Sequence, residues 1–275
     1  MGALTFVRAG TRPIAGGVAA SRIRCVARGQ RVLGAACARR RARGARVPAT
    51  ESAILRAMES DMNASPESQE TPASPEAPLH PAPARSPLLV SAQRSVLLVV
   101  DVQDKLLELM ESRETLLGKL KQLAAAAQLL SVPCLATVQY PEKLGPLTAS
   151  IARYLTPDVQ AAIPGKLAFS CLGCDAAVAQ LRSTRREQVV LVGLETHVCI
   201  AQTALDLVAA GLDVFLVVDA VAARHAIDHQ TALRRLEAAG VTLITTEAVL
   251  FEWVEKAGTP EFKQISRLVR FGAED

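Results

Sequence analysis

Residues 188–199, Gln-Val-Val-Leu-Val-Gly-Leu-Glu-Thr-His-Val-Cys, constrain the fold more than any other part of the chain. The unbroken apolar run at 189–192 indicates a strand that is covered on both faces, and Gly193 is predicted to break it. From Thr196 onward, apolar residues recur at helical spacing until Gly211. The segment therefore predicts a buried strand, a tight turn and a helix, which is typical of a parallel α/β sheet.

A single thiol, Cys199, lies in the first turn of that predicted helix. Backbone dipoles at a helix N-terminus favour an anion, so we expect the pKa of the Cys199 thiol to be lowered. A thiolate at this corner is a candidate nucleophile. The alternative is a structural cysteine that fills the space between strand and helix.

The rest of the foldable region alternates strands and helices, with turn residues between them. This pattern predicts a three-layer α/β/α Rossmann-like fold with a mostly parallel sheet of about six strands. A Gly-rich phosphate loop is missing after the first strand, so the sequence does not predict nucleotide binding. Strands are predicted at 95–100, 132–138, 189–192, 213–218 and 241–244, with an irregular or extended piece at 161–171; helices are predicted at 113–130, 175–182, 227–239, 247–256 and 261–269.

The charge of the chain is divided unevenly along its length. Residues 1–50 contain 11 Arg, no Lys and no acidic residue, so the remainder has 20 basic and 27 acidic residues. A cationic, acid-free N-terminus predicts an organelle transit peptide over residues 1–50, directed to the mitochondrion or plastid. The protein would be cytoplasmic if that tail were not cleaved. A basic arm that binds nucleic acid is disfavoured, because the tail has no Lys and no interleaved aromatic residues.

Residues 51–90 are predicted to be a disordered linker, because seven prolines fall between positions 66 and 87. The predicted folded domain therefore covers residues 91–275. No apolar run reaches the roughly 18 residues of a membrane helix, so a membrane partner is not expected. The six cysteines do not have the spacing of a small disulfide framework, so we expect reduced thiols.

Open α/β sheets place ligands at the carboxyl ends of their strands. Four polar residues are predicted to lie there, namely Asp101, Lys166, Cys199 and Asp219. A carboxylate can take the thiol proton, an ammonium can stabilise the thiolate, and the thiolate can attack a carbonyl carbon. The ordinary alternatives are that Asp101 caps a turn and that Lys166 is a surface lysine.

Three motifs carry a resemblance to a known family: Leu-Val-Val-Asp101-Val-Gln, the pair at 165–166, and Gly-Leu-Glu-Thr-His-Val-Cys199. Together they resemble the isochorismatase-like cysteine hydrolase superfamily, and most closely the eukaryotic isochorismatase domain-containing proteins. The resemblance spans residues 95–269. It implies a catalytic triad of Asp101, Lys166 and Cys199. It also implies a cis peptide between Leu194 and Glu195, with the backbone N–H groups of Glu195 and Cys199 forming an oxyanion hole.

The superfamily's metal motif is missing from this chain. Nicotinamidases carry Asp-x-His after the second strand, where this sequence has Gln139 and Tyr140. We therefore expect neither a metal nor another cofactor, and we expect Gln139, Tyr140 and His197 to line the substrate pocket. His225 and His229 are interpreted as surface residues, and the lone Cys-x-x-Cys at 171–174 as neither a zinc nor a redox site.

The sequence thus predicts a cysteine hydrolase that cleaves a small amide or related C–N compound through a thioester. Two alternatives remain open: hydrolysis of a vinyl ether such as isochorismate, and a non-catalytic binding scaffold. The expected partner is a small-molecule substrate, without nucleic acid or membrane. A homo-oligomer is also expected, because relatives are commonly oligomers and because Phe251 and Trp253 near the C-terminus suggest a subunit contact.

Overall fold

The computed structural model describes residues 85–273. The predicted transit peptide and almost all of the predicted linker lie outside the described residues. The described chain forms a six-stranded sheet in the order β3-β2-β1-β4-β5-β6, and every strand pair is parallel. The predicted fold class is confirmed. The strands are β1 Ser95–Val100, β2 Cys134–Gln139, β3 Gly165–Lys166, β4 Gln188–Leu194, β5 Asp213–Ala222 and β6 Thr242–Ile244.

Helices cover both faces of this sheet, and two separate apolar layers result. One face carries α2, α9 and α10, and the other carries α6, α7 and α8. The bounds are α1 Asp104–Leu107, α2 Arg113–Leu129, α3 Pro141–Leu144, α4 Ala149–Ala152, α5 Pro157–Ala161, α6 Asp175–Ser183, α7 Ala201–Ala209, α8 Ala226–Ala238, α9 Thr246–Val254 and α10 Pro260–Phe271. A π-type turn, Thr196–Ile200, precedes α7, and a short 3-10 turn, Cys171–Gly173, precedes α6.

The two central strands, β1 and β4, contain no polar residue after their first positions, Ser95 and Gln188, because helices shield both of their faces. All residues of β1 and all residues of β4 are buried. They pair in parallel register from Ser95 opposite Gln188 to Val100 opposite Gly193. Their carboxyl ends therefore finish side by side, where Asp101 and the turn to α7 begin.

Two strands, β4 and β5, continue at least two residues past their predicted ends, at 192 and 218. Strand β4 continues through Gly193, whose φ of +117° and close approach to β1 leave no room for a side chain, since a Cβ there would lie 2.1 Å from the Val100 carbonyl oxygen. Strand β5 continues past Asp219 to Ala222. The Asp219 carboxylate accepts hydrogen bonds from the backbone N–H (2.7 Å) and hydroxyl (3.0 Å) of Thr246, and so holds the start of α9.

The domain begins before the predicted linker ends. Val90 is fully buried, and its N–H donates to the Glu252 carboxylate at 2.7 Å. The N–H of Ser91 donates to Gln188 Oε1 at 2.8 Å. Residues 89 and 90, which the sequence assigns to the linker, are therefore hydrogen-bonded to the folded domain.

Trp253 is a core residue of this chain. It is 2% exposed, and its indole N–H donates to Ser95 Oγ at 2.8 Å. It therefore gives no support to the predicted C-terminal subunit contact. Phe251 is partly buried, with its ring centroid 6.3 Å from that of Phe262. Within residues 85–273, no helix combines the length and the apolar character that crossing a bilayer requires.

Candidate active site

The carboxyl ends of β1, β2, β3 and β4 meet at one edge of the sheet and hold a buried ion pair. Asp101 follows β1, and Lys166 ends β3, two strands away. Lys166 Nζ donates to Asp101 Oδ2 at 2.6 Å, and both side chains have 0% exposure. The structure thus brings together two residues that are 65 positions apart in the sequence.

Asp101 is held by its backbone as well as by its carboxylate. Its φ of 55° lies in the left-handed region, which Asp tolerates better than most residues. Its N–H donates to the Thr137 carbonyl oxygen at 3.1 Å, and the Thr137 hydroxyl donates to Asp101 Oδ1 at 3.0 Å. Each carboxylate oxygen therefore has a different donor, which fixes the plane of the carboxylate.

Acceptors surround the Lys166 ammonium. Besides Asp101, it donates to Gln139 Oε1 at 2.6 Å, and the carbonyl oxygens of Phe169 and Ala168 lie 2.9 and 3.3 Å away. An ammonium has three protons, so these four acceptors occupy all of its donors. Lys166 is thus a buried residue and not a surface lysine, while its role in catalysis stays a prediction.

Gln139 connects Lys166 to the thiol. Its Oε1 accepts from Lys166 and also lies 3.8 Å from Cys199 Sγ, while its Nε2 donates to the Leu167 carbonyl oxygen at 3.0 Å. The fully buried Gln103 holds the Gln139 backbone by accepting from its N–H (2.8 Å) and donating to its carbonyl oxygen (2.9 Å). The carboxamide of Gln139 thus stands where the ammonium and the thiol face each other.

Cys199 is buried, with 6% exposure, inside the π-type turn Thr196–Ile200. Burial raises the pKa of its thiol to about 12; the charge of Asp101 also raises the pKa, and Lys166 lowers it. The predicted low pKa is therefore wrong. The expectation rested on a helix dipole, but α7 begins only at Ala201, and desolvation of the thiolate is the largest cause of the raised pKa. The resting nucleophile candidate is a thiol.

The turn before Cys199 contains the expected cis peptide, between Leu194 and Glu195. The carbonyl oxygen of Glu195 accepts from the N–H groups of Val198 (3.0 Å) and Ile200 (3.3 Å), which winds the turn tightly. The oxyanion hole formed by the N–H groups of Glu195 and Cys199 stays a prediction. The Glu195 carboxylate points to the end of β5, where Arg224 Nε donates to it at 3.1 Å.

Three further residues predicted to lie at the site are Tyr140, His197 and Asp219. Tyr140 has an exposed side chain, but its N–H donates to the Lys166 carbonyl oxygen at 2.9 Å. His197 Nε2 lies 3.9 Å from the Asp228 carboxylate on α8, and its Nδ1 is buried without a hydrogen-bond partner. Asp219 does not join the site, because its carboxylate is used by Thr246 and lies 3.7 Å from Lys119.

Thr137 and Cys171 lie at the site but are not among the residues predicted for it from the sequence. Thr137 on β2 bridges Asp101 and Cys171, with its hydroxyl 3.6 Å from Cys171 Sγ. Burial raises the pKa of the Cys171 thiol, which also feels the charges of Lys166 and Asp101. A polar Thr inside the apolar strand β2 was the available signal for this contact.

No metal ligands are grouped in the described part of the chain: among residues 85–273, no three His, Cys, Asp or Glu side chains could hold an ion together. His225 is exposed, whereas His229 is partly buried and its Nδ1 lies 2.9 Å from the Thr196 hydroxyl. The surface interpretation is thus correct for His225 and only in part for His229. Cys171 and Cys174 are free thiols.

Residues 95–248 match the isochorismatase domain family, and the chain belongs to that family. It is 36% identical over 178 residues to isochorismatase domain-containing protein 2 of Bos taurus, covering 64% of this chain and 82% of that protein. It is 35% identical over 173 residues to the secreted isochorismatase effector Isc1 of Phytophthora sojae, covering 62% and 81%. The structure of MAR1 ribonuclease from Caenorhabditis elegans superposes with a TM-score of 0.61 at 32% identity, covering 68% of this chain and 95% of that one.

Proposed function

We propose that this protein is a cysteine hydrolase that cleaves a small amide or related C–N compound through a thioester on Cys199. Asp101 acts as general base and then general acid, and Lys166 stabilises the negative charge on Asp101 and on the Cys199 sulfur. The observation that carries the proposal is the buried Asp101–Lys166 pair, with its ammonium sharing Gln139 Oε1 with the Cys199 thiol. Burying two charges is expensive, so a chain gains little from such a pair by stability alone.

The first half of the reaction transfers the acyl group to sulfur. The Cys199 proton passes to Asp101 while sulfur bonds to the carbonyl carbon, and the carbonyl electron pair moves to oxygen. When the C=O bond re-forms, the C–N bond breaks, and Asp101 returns the proton to the leaving nitrogen. A thioester on Cys199 and a free amine result.

Water completes the cycle. Asp101 takes one proton from the attacking water, the C–S bond breaks, and the proton returns to Cys199. The backbone N–H groups of Glu195 and Cys199 are proposed to stabilise the oxyanion in both halves. Because the pKa of the Cys199 thiol is raised to about 12, proton transfer accompanies attack instead of preceding it.

Side chains near the ion pair and the thiol are proposed to orient the substrate. Gln139 lies against both Lys166 and Cys199, so its carboxamide is the side chain placed to meet a substrate amide. Tyr140 is exposed beside Lys166, and His197 precedes Cys199 by two residues in the chain. We propose these three as pocket residues, acting without a metal or other cofactor.

Vinyl ether hydrolysis is the second candidate, and the name of the Phytophthora sojae relative favours it. That reaction needs an acid to protonate the substrate but no thiol nucleophile. The contact of Cys199 with Gln139 beside Lys166 favours the amide reaction, because a vinyl ether hydrolase has no use for a sulfur there.

Turnover of the full-length protein on matched panels separates the two candidates. One panel contains small amides and ureides, and the other contains vinyl ethers, including isochorismate. The proposal expects hydrolysis in the amide and ureide panel that is lost in Cys199→Ala and kept in Cys134→Ala. Hydrolysis confined to the vinyl ethers, or kept in Cys199→Ala, would contradict it. No turnover in either panel would favour a binding scaffold.

Two further features are proposals. A homo-oligomer is expected, and light scattering at micromolar concentration should return at least a dimer mass. An organelle transit peptide is proposed for residues 1–50, so a fluorescent fusion of that segment should enter mitochondria or plastids. A diffuse fluorescence signal would reject the transit peptide, and a monomer mass would reject the oligomer.

A further inference from the structure

The Glu195 carboxylate is a buried charge that the proposed chemistry does not use. Its side chain is 10% exposed, and Glu195 Oε2 accepts from Arg224 twice, from Nε at 3.1 Å and from the backbone N–H at 3.3 Å. The Arg224 side chain is about half exposed (48%). A buried carboxylate that lost this partner would pay the full desolvation cost of its charge.

The path of β5 is what brings Arg224 to this position. Strand β5 changes register against β4 between Leu191 and Gly193, and then pairs Val221 with Gly193 and Ala222 with Leu194. Arg224 follows two residues after β5, beside the residue that follows β4. Because β5 extends past Asp219, the Arg224 guanidinium lies beside the turn that precedes Cys199.

We infer that Glu195 and Arg224 form a positioning pair for the proposed oxyanion hole, an inference that rests on the proposed cysteine hydrolase function. The pair ties the backbone of Glu195, a predicted oxyanion donor, to the end of β5. It also cancels a negative charge beside the place where the substrate oxygen becomes negative. Neither side chain touches the reacting atoms, so both act through the backbone of the turn.

The pair should affect the oxyanion and leave the thiol alone. The charges that act on the Cys199 thiol are those of Asp101 and Lys166, not those of Glu195 and Arg224. Loss of Arg224 should therefore destabilise adducts whose oxygen occupies the oxyanion position. The rate of alkylation at the Cys199 sulfur should stay unchanged. Loss of both charges together should be milder than loss of Arg224 alone, because no buried anion remains.

A small aldehyde tests this without any need for turnover. Labelled acetaldehyde adds to a cysteine as a hemithioacetal: the S–C bond forms, and the thiol proton passes to the former carbonyl oxygen. The dissociation constant of this adduct, followed by carbon NMR, reports on the oxyanion position. Iodoacetamide alkylation of Cys199 in the same samples reports on the sulfur.

We expect Arg224→Gln to weaken the aldehyde adduct roughly 10- to 100-fold, less than the roughly 100- to 1000-fold of a lost oxyanion donor, because the donor N–H is displaced and not removed. The rate of iodoacetamide alkylation should stay within about twofold of wild type, because Asp101 and Lys166, the charges that act on the thiol, are unchanged. Glu195→Gln should weaken the adduct only slightly, and the double variant should regain most of what Arg224→Gln loses. Arg94→Gln, which breaks the exposed Arg94–Glu187 pair at the opposite end of the sheet, is the matched control and should change neither readout.

Three results would overturn the inference. They are an unchanged adduct in Arg224→Gln, a double variant no better than Arg224→Gln, and a parallel loss of adduct and alkylation, which would indicate a general loosening of the fold. If wild type forms no adduct at Cys199 and hydrolyses no amide, the proposed function fails, and the role of the pair fails with it. A wild-type adduct that is insensitive to Arg224 leaves the proposed function standing.

Discussion

The two ends of the sheet bury polar groups of different kinds. At the amino end, Gln188 is fully buried, and its neutral carboxamide accepts from the Ser91 N–H and donates to the Leu89 carbonyl oxygen at 3.1 Å. At the carboxyl end, the buried groups are the charges of Asp101 and Lys166. Neutral, fully paired amides secure a chain at low cost, whereas a buried ion pair is costly.

The comparison separates stability from chemistry. Changes at the amino end should lower the free energy of unfolding and leave the proposed reaction intact. At the carboxyl end, replacement of Cys199 should impair the reaction by far more than it changes stability. The following experiments test that division, beginning with the largest expected effect.

Cys199→Ala should lower turnover of a cleaved amide roughly 10⁴-fold or more, because the nucleophile is lost. One small buried side chain replaces another, so the melting temperature should move by only a few degrees, about what 1 kcal/mol produces. Steady-state kinetics and thermal unfolding measure the two effects. Cys134→Ala is the control, and a similar loss of turnover in that variant would contradict the assignment.

Substitutions of the ion pair should shift alkylation of Cys199 in opposite directions. The pKa of this thiol is raised to about 12, so the wild-type rate should be low at pH 7 and rise about tenfold per pH unit toward that pKa. Lys166→Met removes the charge that lowers the pKa and should slow alkylation, roughly tenfold at fixed pH. Asp101→Asn removes a charge that raises it and should accelerate alkylation while abolishing turnover.

Cys134 provides the internal reference for that experiment. Burial also raises the pKa of its thiol to about 12, but neither Asp101 nor Lys166 is among the causes. Its labelling should therefore follow the same pH course in all three proteins. Shifts of Cys199 in the same direction in both variants would show that Asp101 and Lys166 do not act on the thiol by charge.

Gln188→Leu tests the amino end. It leaves the Ser91 N–H and the Leu89 carbonyl oxygen without their buried partner, which should cost about 1–3 kcal/mol in urea unfolding. Trp253→Phe should cost less, about 1 kcal/mol, through loss of the hydrogen bond to Ser95 Oγ. The values of kcat and KM should stay at the wild-type level in both. A kcat loss beyond about tenfold corresponds to more than about 1.4 kcal/mol in the activation free energy, and it would contradict the division between the two ends.

Treatment with EDTA followed by desalting should have the smallest effect, which is none. The loop at Gln139 and Tyr140 lacks the metal motif, and residues 85–273 contain no group of three potential ligands. Activity should therefore be the same before and after chelation. Loss of activity that zinc or iron restored would contradict the metal-free mechanism.

The fold could be predicted because its signals are local. The apolar runs of β1 and β4 predict strands that are covered on both faces. In the structure, helices cover both faces and every residue of the two strands is buried. Strand ends were less predictable, because an aspartate inside a strand cannot be told from one that ends it. Asp219 lies inside β5 because Thr246, 27 residues later, supplies its hydrogen-bond donors.

The site could be predicted only in part. Residue types and order suggested Asp101, Lys166 and Cys199, but the pKa of the thiol depends on tertiary burial, which a helix-dipole argument does not contain. Thr137 and the Arg224–Glu195 contact were missed because they arise from strand register rather than from sequence spacing. The role of Gln139 beside Lys166 also required the parallel pairing of β2 with β3.

The central claim is that Cys199 carries an acyl group during turnover. Full-length protein should be mixed with an amide or ureide that it hydrolyses, quenched in acid within the first turnovers, and analysed by intact mass spectrometry and peptide mapping. We predict a mass increase equal to the acyl group on the peptide that contains Cys199, removed by hydroxylamine and missing in Cys199→Ala. Turnover of that substrate with no acyl adduct on Cys199 at any quench time, or with the adduct on Cys171 instead, would contradict the account.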